Sequence, residues 1–312
     1  MGQFSKIETD GRLMIVTINR PEVYNACHPM ANQELVEAFD EFQTNPDLWV
    51  AVITGAGDKA FSAGNDLKYH AEIQAKTGKR PVHPAKGFGG LANRFDLDKP
   101  VIAAVNGVAM GGGFEIALAC DIIIASDKAT FALPEPKVGL AAGAGGMQRL
   151  SRMIPLKKAM GMMLTGRHVP AKEGFDLGFV TEVVPHAELM TAAKRWANDI
   201  LACSPMSVRA TKQVVMRSLD TPALEVAMHN QHFPAFVAMA MASSVSLTVP
   251  IWFSFTSSAL ATPSLMPRAR ISGLVTKTSS PTSCTFLPSA SVSSFQPRQS
   301  PSAQPSSIEM IG

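Results

Sequence analysis

Residues 99–140, KPVIAAVNGVAMGGGFEIALACDIIIASDKATFALPEPKVGL, set two apolar runs on either side of a glycine-rich turn, with Glu115 behind the glycines and Glu135 beyond the second run. PVIAAVNG and DIIIAS are short and rich in β-branched residues, the pattern of strands buried on both faces. Between them GGGFEIALAC opens on glycines and continues apolar, which predicts a helix entered from a tight turn. A buried strand, a helix and a second buried strand in succession imply an α/β fold, with helices covering a sheet.

The alternation extends both ways. Upstream, Ile7-Glu8, the Thr9-Asp10-Gly11 turn and the run from Leu13 to Ile18 read as a β-hairpin. Leu35, Val36, Phe39 and Phe42 recur at helical spacing within residues 29–45, and WVAVITG then reads as a buried strand. Downstream of Pro155, LKKAMGMMLTG, AKEGFDLG, HAELMTAAKRWANDILA and SPMSVRATKQVVMRSL read as successive helices, with strand-like FVTEVV between the second and third.

Two glycine-rich turns each follow a strand, FSAGNDL at residues 61–67 and AMGGGFE at residues 109–115. Where such a turn feeds a helix, the free N–H groups at the helix start favour developing negative charge. One N–H from each loop could therefore form an oxyanion hole, or both stretches could be no more than tight turns. Glu115 and Glu135 are candidate paired carboxylates, since two such groups held close take unequal pKa values and can act as acid and base. The competing reading of either glutamate is a surface or capping residue. Gly143, Gly145 and Gly146 precede MQRLSRMI, a further helix whose N-terminus can direct its dipole at a reacting centre.

Composition narrows the field. Cys27, Cys120, Cys203 and Cys284 include no C-x-x-C pair, so neither a zinc site nor a disulfide framework is expected, and a reducing compartment fits. The seven histidines show no ligand spacing and receive no role. No apolar run is long enough for a membrane span and residues 1–11 lack a signal-peptide core, so a cytoplasmic protein is expected. The net charge of +3 arises from the tail, where Arg268, Arg270, Lys277 and Arg298 face Glu309 alone; removing those leaves 24 basic and 24 acidic residues. A neutral core argues against a nucleic-acid partner.

The ordered string from KPVIAAVNG through GGGFE and LPEPKVGL to GAGGMQRL resembles the enoyl-CoA hydratase/isomerase, or crotonase, family. FSAGNDLK, LTGR-x-x-x-A-x-E and SPMSVRATK extend the likeness to about residue 239. The resemblance implies a crotonase-like spiral of β-β-α units with a helical C-terminal region that builds a homotrimer or a dimer of trimers. It implies an acyl-CoA thioester as partner and substrate, with the coenzyme A entering as part of that substrate and no metal or other cofactor required. Carried over to this sequence, the backbone amides of Asn65 and Gly112 hold the thioester oxygen. Ala63, Asp66, Leu67 and Lys68 line the coenzyme-A site with them, mostly through the main chain. Both glutamate positions of the family's hydratases are filled, by Glu115 and Glu135, so the expected activity is hydration of a trans-2-enoyl-CoA to a 3-hydroxyacyl-CoA. A dehydratase, lyase or isomerase acting on a polar acyl-CoA, carnitinyl-CoA dehydratase-like, is the alternative. A non-catalytic acyl-CoA binder is the reading from another class.

Residues 68–94, interrupted by Gly78, Pro81, Pro84 and Gly87, read as a flap over the acyl chain or as a plain surface loop. The expected organisation is a spiral core over residues 1–195, a truncated helical trimerisation region over 196–239, and an aberrant tail over 240–312. Between Glu225 and Glu309 there is no acidic residue, and the tail is dense in Ser and Pro, which predicts disorder or a frameshifted end.

Overall fold

The computed structural model describes residues 2–230. The expectations for the tail, and for residues 231–239 of the trimerisation region, lie outside the described residues.

The chain opens on the hairpin β1 (Ser5–Asp10) and β2 (Leu13–Ile18), in which Asp10 lies opposite Leu13. Helix α1 (Pro29–Thr44) begins on a proline whose missing N–H costs nothing there, and His28 caps it by accepting from the Ala31 N–H at 3.0 Å. Its apolar stripe, Leu35, Val36, Phe39 and Phe42, is buried, as the spacing predicts.

Three β-β-α units follow. The first is β3 (Val50–Gly55), β4 (Ala60–Ser62) and α2 (Leu67–Thr77). The second is β5 (Val101–Val105), β6 (Val108–Met110) and α3 (Gly112–Ala119). The third is β7 (Ile122–Ser126), β8 (Thr130–Ala132), a 3-10 turn at Glu135–Val138, and α4 (Gly146–Met153). The remaining described α-helices and strands are α5 (Leu156–Thr165), β9 (Val169–Pro170), α6 (Ala171–Leu177), β10 (Glu182–Val184), α7 (Leu189–Leu201), α8 (Pro205–Ser218) and α9 (Leu224–Asn230).

The first strand of each unit joins a six-stranded sheet of order β1-β2-β3-β5-β7-β10, and the second joins a four-stranded sheet of order β4-β6-β8-β9. Pairing is parallel except at β1–β2 and β8–β9. The crossing from large to small sheet is fixed by two buried asparagines. Asn106 donates to the carbonyls of Gly55 and Ala60 and accepts from the Gly55 N–H, while Asn25 donates to the Ala60 carbonyl at 2.7 Å. These side chains satisfy carbonyls that leave one sheet before entering the next.

Apolar burial proceeds on both faces of the large sheet. One face and the small sheet bury Phe39, Phe42, Phe61, Phe114 and Phe131, each worth roughly 1.5–3 kcal/mol relative to exposure. The other face takes α7, through Leu189, Ala192, Ala193 and Ala197. The two strands of each unit thus stand fixed on a packed core, and the loops leaving β4, β6 and β8 are held as a rigid group.

Candidate active site

The loop after β4 spends nearly all its backbone donors internally. Ala63 N–H bonds the Tyr24 carbonyl at 2.9 Å, Gly64 N–H bonds Ser62 Oγ at 3.1 Å, and Asp66 N–H bonds the Cys27 carbonyl at 3.2 Å. Among the described residues, the Asn65 N–H has no such acceptor. The loop after β6 repeats the pattern: Gly111 N–H bonds the Ala132 carbonyl at 2.9 Å, and the next amide, Gly112, opens α3 with no intrahelical partner. Gly64 presses the loops together. It holds φ +87°, and a Cβ there would sit 2.6 Å from the Met110 oxygen and 2.9 Å from the Gly112 nitrogen. The amides of Asn65 and Gly112 are therefore close neighbours and both free to donate.

Both glutamates come to the same place. Glu115, in the first turn of α3, is 3% exposed, and its Oε1 accepts from the Gly146 N–H, the first amide of α4, at 2.8 Å. Glu135 opens the 3-10 turn, and its Oε1 lies so close above Gly111 that a Cβ on that glycine would be 2.9 Å away. Burial lifts the Glu115 carboxyl to about 7; the Gly146 N–H opposes that rise and the Glu135 charge adds to it. Burial also raises Glu135 above the ordinary carboxylate value. Arg149 stands behind Glu115, its guanidinium joining the Ala144 and Ala92 carbonyls at 3.3 and 2.7 Å.

Five described residues carry buried side-chain polar atoms without a partner, and three of them, Asn65, His70 and Glu135, border this region. Native proteins seldom leave such atoms unpaired. Three such residues therefore gather around the amide pair and the carboxylates.

The coenzyme-A residues expected from sequence follow one another along one rim. Asp66 is occupied structurally: its carboxylate caps α2 through the Tyr69 N–H at 3.0 Å and pairs with Arg20 at 2.8 Å, and burial opposed by these bonds leaves its pKa below the usual range. Leu67 and Lys68 are exposed in the first turn of α2. The structure thus brings Asn65, Gly112, Glu115 and Glu135 together, and leaves the side chains of Leu67 and Lys68 at the periphery.

Sequence reasoning missed a row of rings beside the site. Residues 68–94 begin as helix α2 and return as a loop, which lays His83 against His70 and Phe88. Phe88 in turn covers Gly112, where a Cβ would meet its ring at 2.5 Å.

Two adjacent amides and two unequal carboxylates suit enolate chemistry on a thioester, in which amides can take charge on an oxygen while carboxylates move protons. The model of enoyl-CoA hydratases and isomerases matches residues 8–241. The chain belongs to this family, the crotonases. Its curated relatives include proteins named carnitinyl-CoA dehydratase from Escherichia coli K12, 42% identical over 225 residues that cover 72% of this chain and 85% of the relative, and from Salmonella enteritidis, 40% identical over the same share. Among solved crotonases, the enoyl-CoA hydratase of Mycobacterium tuberculosis superposes with a TM-score of 0.69 at 35% identity, covering 77% of this chain and 96% of that one. A carnitinyl-CoA dehydratase from Mycobacterium avium 104 superposes with a TM-score of 0.64 at 38% identity, covering 74% and 91%.

Proposed function

We propose that this crotonase is a hydro-lyase that dehydrates a polar 3-hydroxyacyl-CoA, with carnitinyl-CoA as its candidate substrate. The observation that carries the chemistry is the unequal carboxylate pair: Glu115, lifted to about 7, stands ready as an acid, and Glu135 as a base. The substrate choice rests on the relatives named carnitinyl-CoA dehydratase, so the alternative considered from sequence now stands ahead of plain enoyl-CoA hydration.

In this mechanism the thioester oxygen accepts from the Asn65 and Gly112 N–H groups. Glu135 takes the proton from the α-carbon, and the electron pair moves toward that oxygen as an enolate, which the two amides stabilise. The pair then returns to form the α,β double bond as the β-carbon releases its hydroxyl. Glu115 protonates the leaving hydroxyl, so that water departs. Run backwards, the same steps add water to a trans-2-enoyl thioester.

The test is incubation of the protein with carnitinyl-CoA and, separately, with crotonyl-CoA, following the conjugated thioester absorbance beside Glu115→Gln and Glu135→Gln variants. Gain of absorbance from carnitinyl-CoA that both variants lose supports the proposal. Activity on crotonyl-CoA alone would return the protein to the hydratase reading, and activity on neither would leave only an acyl-CoA binder.

A further inference from the structure

Six rings run in a row toward the Gly112 amide: Phe4, His28, Tyr69, His70, His83 and Phe88, with successive centroids 4.4, 5.0, 6.3, 5.2 and 5.3 Å apart. The row ends at the site, because Phe88 packs on Gly112. The two rings next to Phe88 along the row, His83 and His70, favour the uncharged form. Asn32 is fully buried, and its Oδ1 accepts from the Gly89 N–H at 2.6 Å. Its amide nitrogen must therefore face the His28 carbonyl and His83 Nδ1, both at 3.1 Å. An amide nitrogen only donates, so His83 Nδ1 accepts and the ring proton sits on Nε2. His70 Nε2 is buried and has no hydrogen-bond partner among the described residues. Burial lowers the pKa of both imidazoles. The charges felt by His70 are Asp66, already paired with Arg20, and the exposed Arg80.

A wall of neutral, half-buried rings suits one kind of polar group in particular. A quaternary ammonium has no N–H to donate, and it is recognised by desolvated aromatic faces. Four single bonds separate a thioester carbonyl carbon from a nitrogen carried on the fourth carbon of the acyl chain, a reach of roughly 5 Å. When the acyl chain of a thioester seated on Gly112 runs along the Phe88 ring, that reach brings its nitrogen to the Phe88–His83 end of the row. We infer that His70 and His83, braced by Asn32 and Phe88, are the specificity-determining faces that select a quaternary ammonium at the end of the acyl chain. The inference rests on the dehydratase reading above and names the residues that read its substrate.

The experiment compares kcat/KM for dehydration of carnitinyl-CoA with that of its tert-butyl isostere, in which carbon replaces the ammonium nitrogen. The ratio of the two is read for the native protein and for His70→Leu, His83→Leu and His83→Phe. The native ratio is expected to favour the cation at least about tenfold, a value within the range of cation–π contacts. Each leucine variant is expected to reduce that ratio by about tenfold, and His83→Phe, which keeps an aromatic face, to retain most of it. A ratio near one in the native protein, or one that neither leucine variant moves, would overturn the ring assignment while leaving dehydration intact. Turnover of crotonyl-CoA with neither hydroxyacyl thioester accepted would instead remove the dehydratase reading, and the ring assignment with it.

Discussion

The N–H of Gly146 donates to Glu115 Oε1 at 2.8 Å, joining the first turn of α3 to the first amide of α4. Together with the Ala144 N–H, that bond orients a buried carboxyl that Glu135 and Arg149 also face. It favours the ionised form, while burial and Glu135 favour the protonated one, and the balance leaves Glu115 near neutrality rather than far above it. A carboxyl titrating there can both hold a proton and surrender it at physiological pH.

The pH dependence follows from the pair rather than from either member. In the proposed mechanism dehydration starts with the proton on Glu115 and hydration with it on Glu135, and these are two forms of one singly protonated pair. Both directions should therefore share a bell-shaped kcat/KM profile whose upper limb falls above about 7 and whose lower limb follows Glu135. Initial rates in each direction over a pH series check this. A profile flat above 7 would remove Glu115 as the proton's holder.

Glu115 also has a stability signature. Its folded-state pKa is raised from 4.5 to about 7, so the stability it contributes is complete below 4.5 and is lost as pH rises through 7. A shift of that size in a buried group corresponds to roughly 3 kcal/mol. Glu115→Gln still accepts from Gly146 and escapes this loss, so denaturant unfolding should show the variant gaining on the native protein by roughly 2–3 kcal/mol between about pH 5 and pH 8. Its activity should fall by about 10²-fold or more. A stability difference that does not vary with pH would contradict the raised pKa.

The parts of the fold legible in sequence are those with a period or a boundary signal. The hairpin is where the sequence puts it, although its turn is Gly11-Arg12 and Thr9 and Asp10 stay in the strand; α1 carries its stripe from Leu35 to Phe42, and β3, β5 and β7 are apolar but for Thr54 and Ser126. The small sheet was not legible, because Ala60–Ser62, Val108–Met110 and Thr130–Ala132 are three residues each, too short for alternation to register. At the site, the glutamates and the two amides follow from the family motifs. The ring row does not, since His83 meets Asn32 across 51 residues and owes its place to tertiary contacts. Asp66 lies between these cases: its motif marks the rim, but its partner Arg20 is 46 residues away.

That partner gives Asp66 a testable weight. Asp66→Ala removes the α2 cap and leaves a largely buried Arg20 guanidinium unpaired, where the side chains are only 12% and 11% exposed. The expected cost is about 2–4 kcal/mol. Asp66→Asn keeps the cap without the charge and should lose less. Chemical unfolding of both variants ranks them, and equal losses would show that the ion pair adds nothing to the cap.

Gly64 tests whether the two amides work as a unit. Alanine there must adopt φ +87° and would press its Cβ to 2.6 Å from the Met110 oxygen and 2.9 Å from the Gly112 nitrogen. The backbone conformation alone costs roughly 1–3 kcal/mol. The wedge adds something different, because the loops must part and the Asn65 and Gly112 N–H groups diverge from a common oxygen. Losing one oxyanion donor typically lowers kcat by about 10²–10³-fold. Gly78→Ala supplies the control, since Gly78 has φ +70° and nothing within 4 Å of a built Cβ. Gly64→Ala should therefore lose about 10²-fold in kcat with its carboxylate pH profile retained, while Gly78→Ala bears only the backbone strain and keeps kcat within a few fold. Equal kcat in the two variants would mean that the thioester oxygen is not held between the two loops.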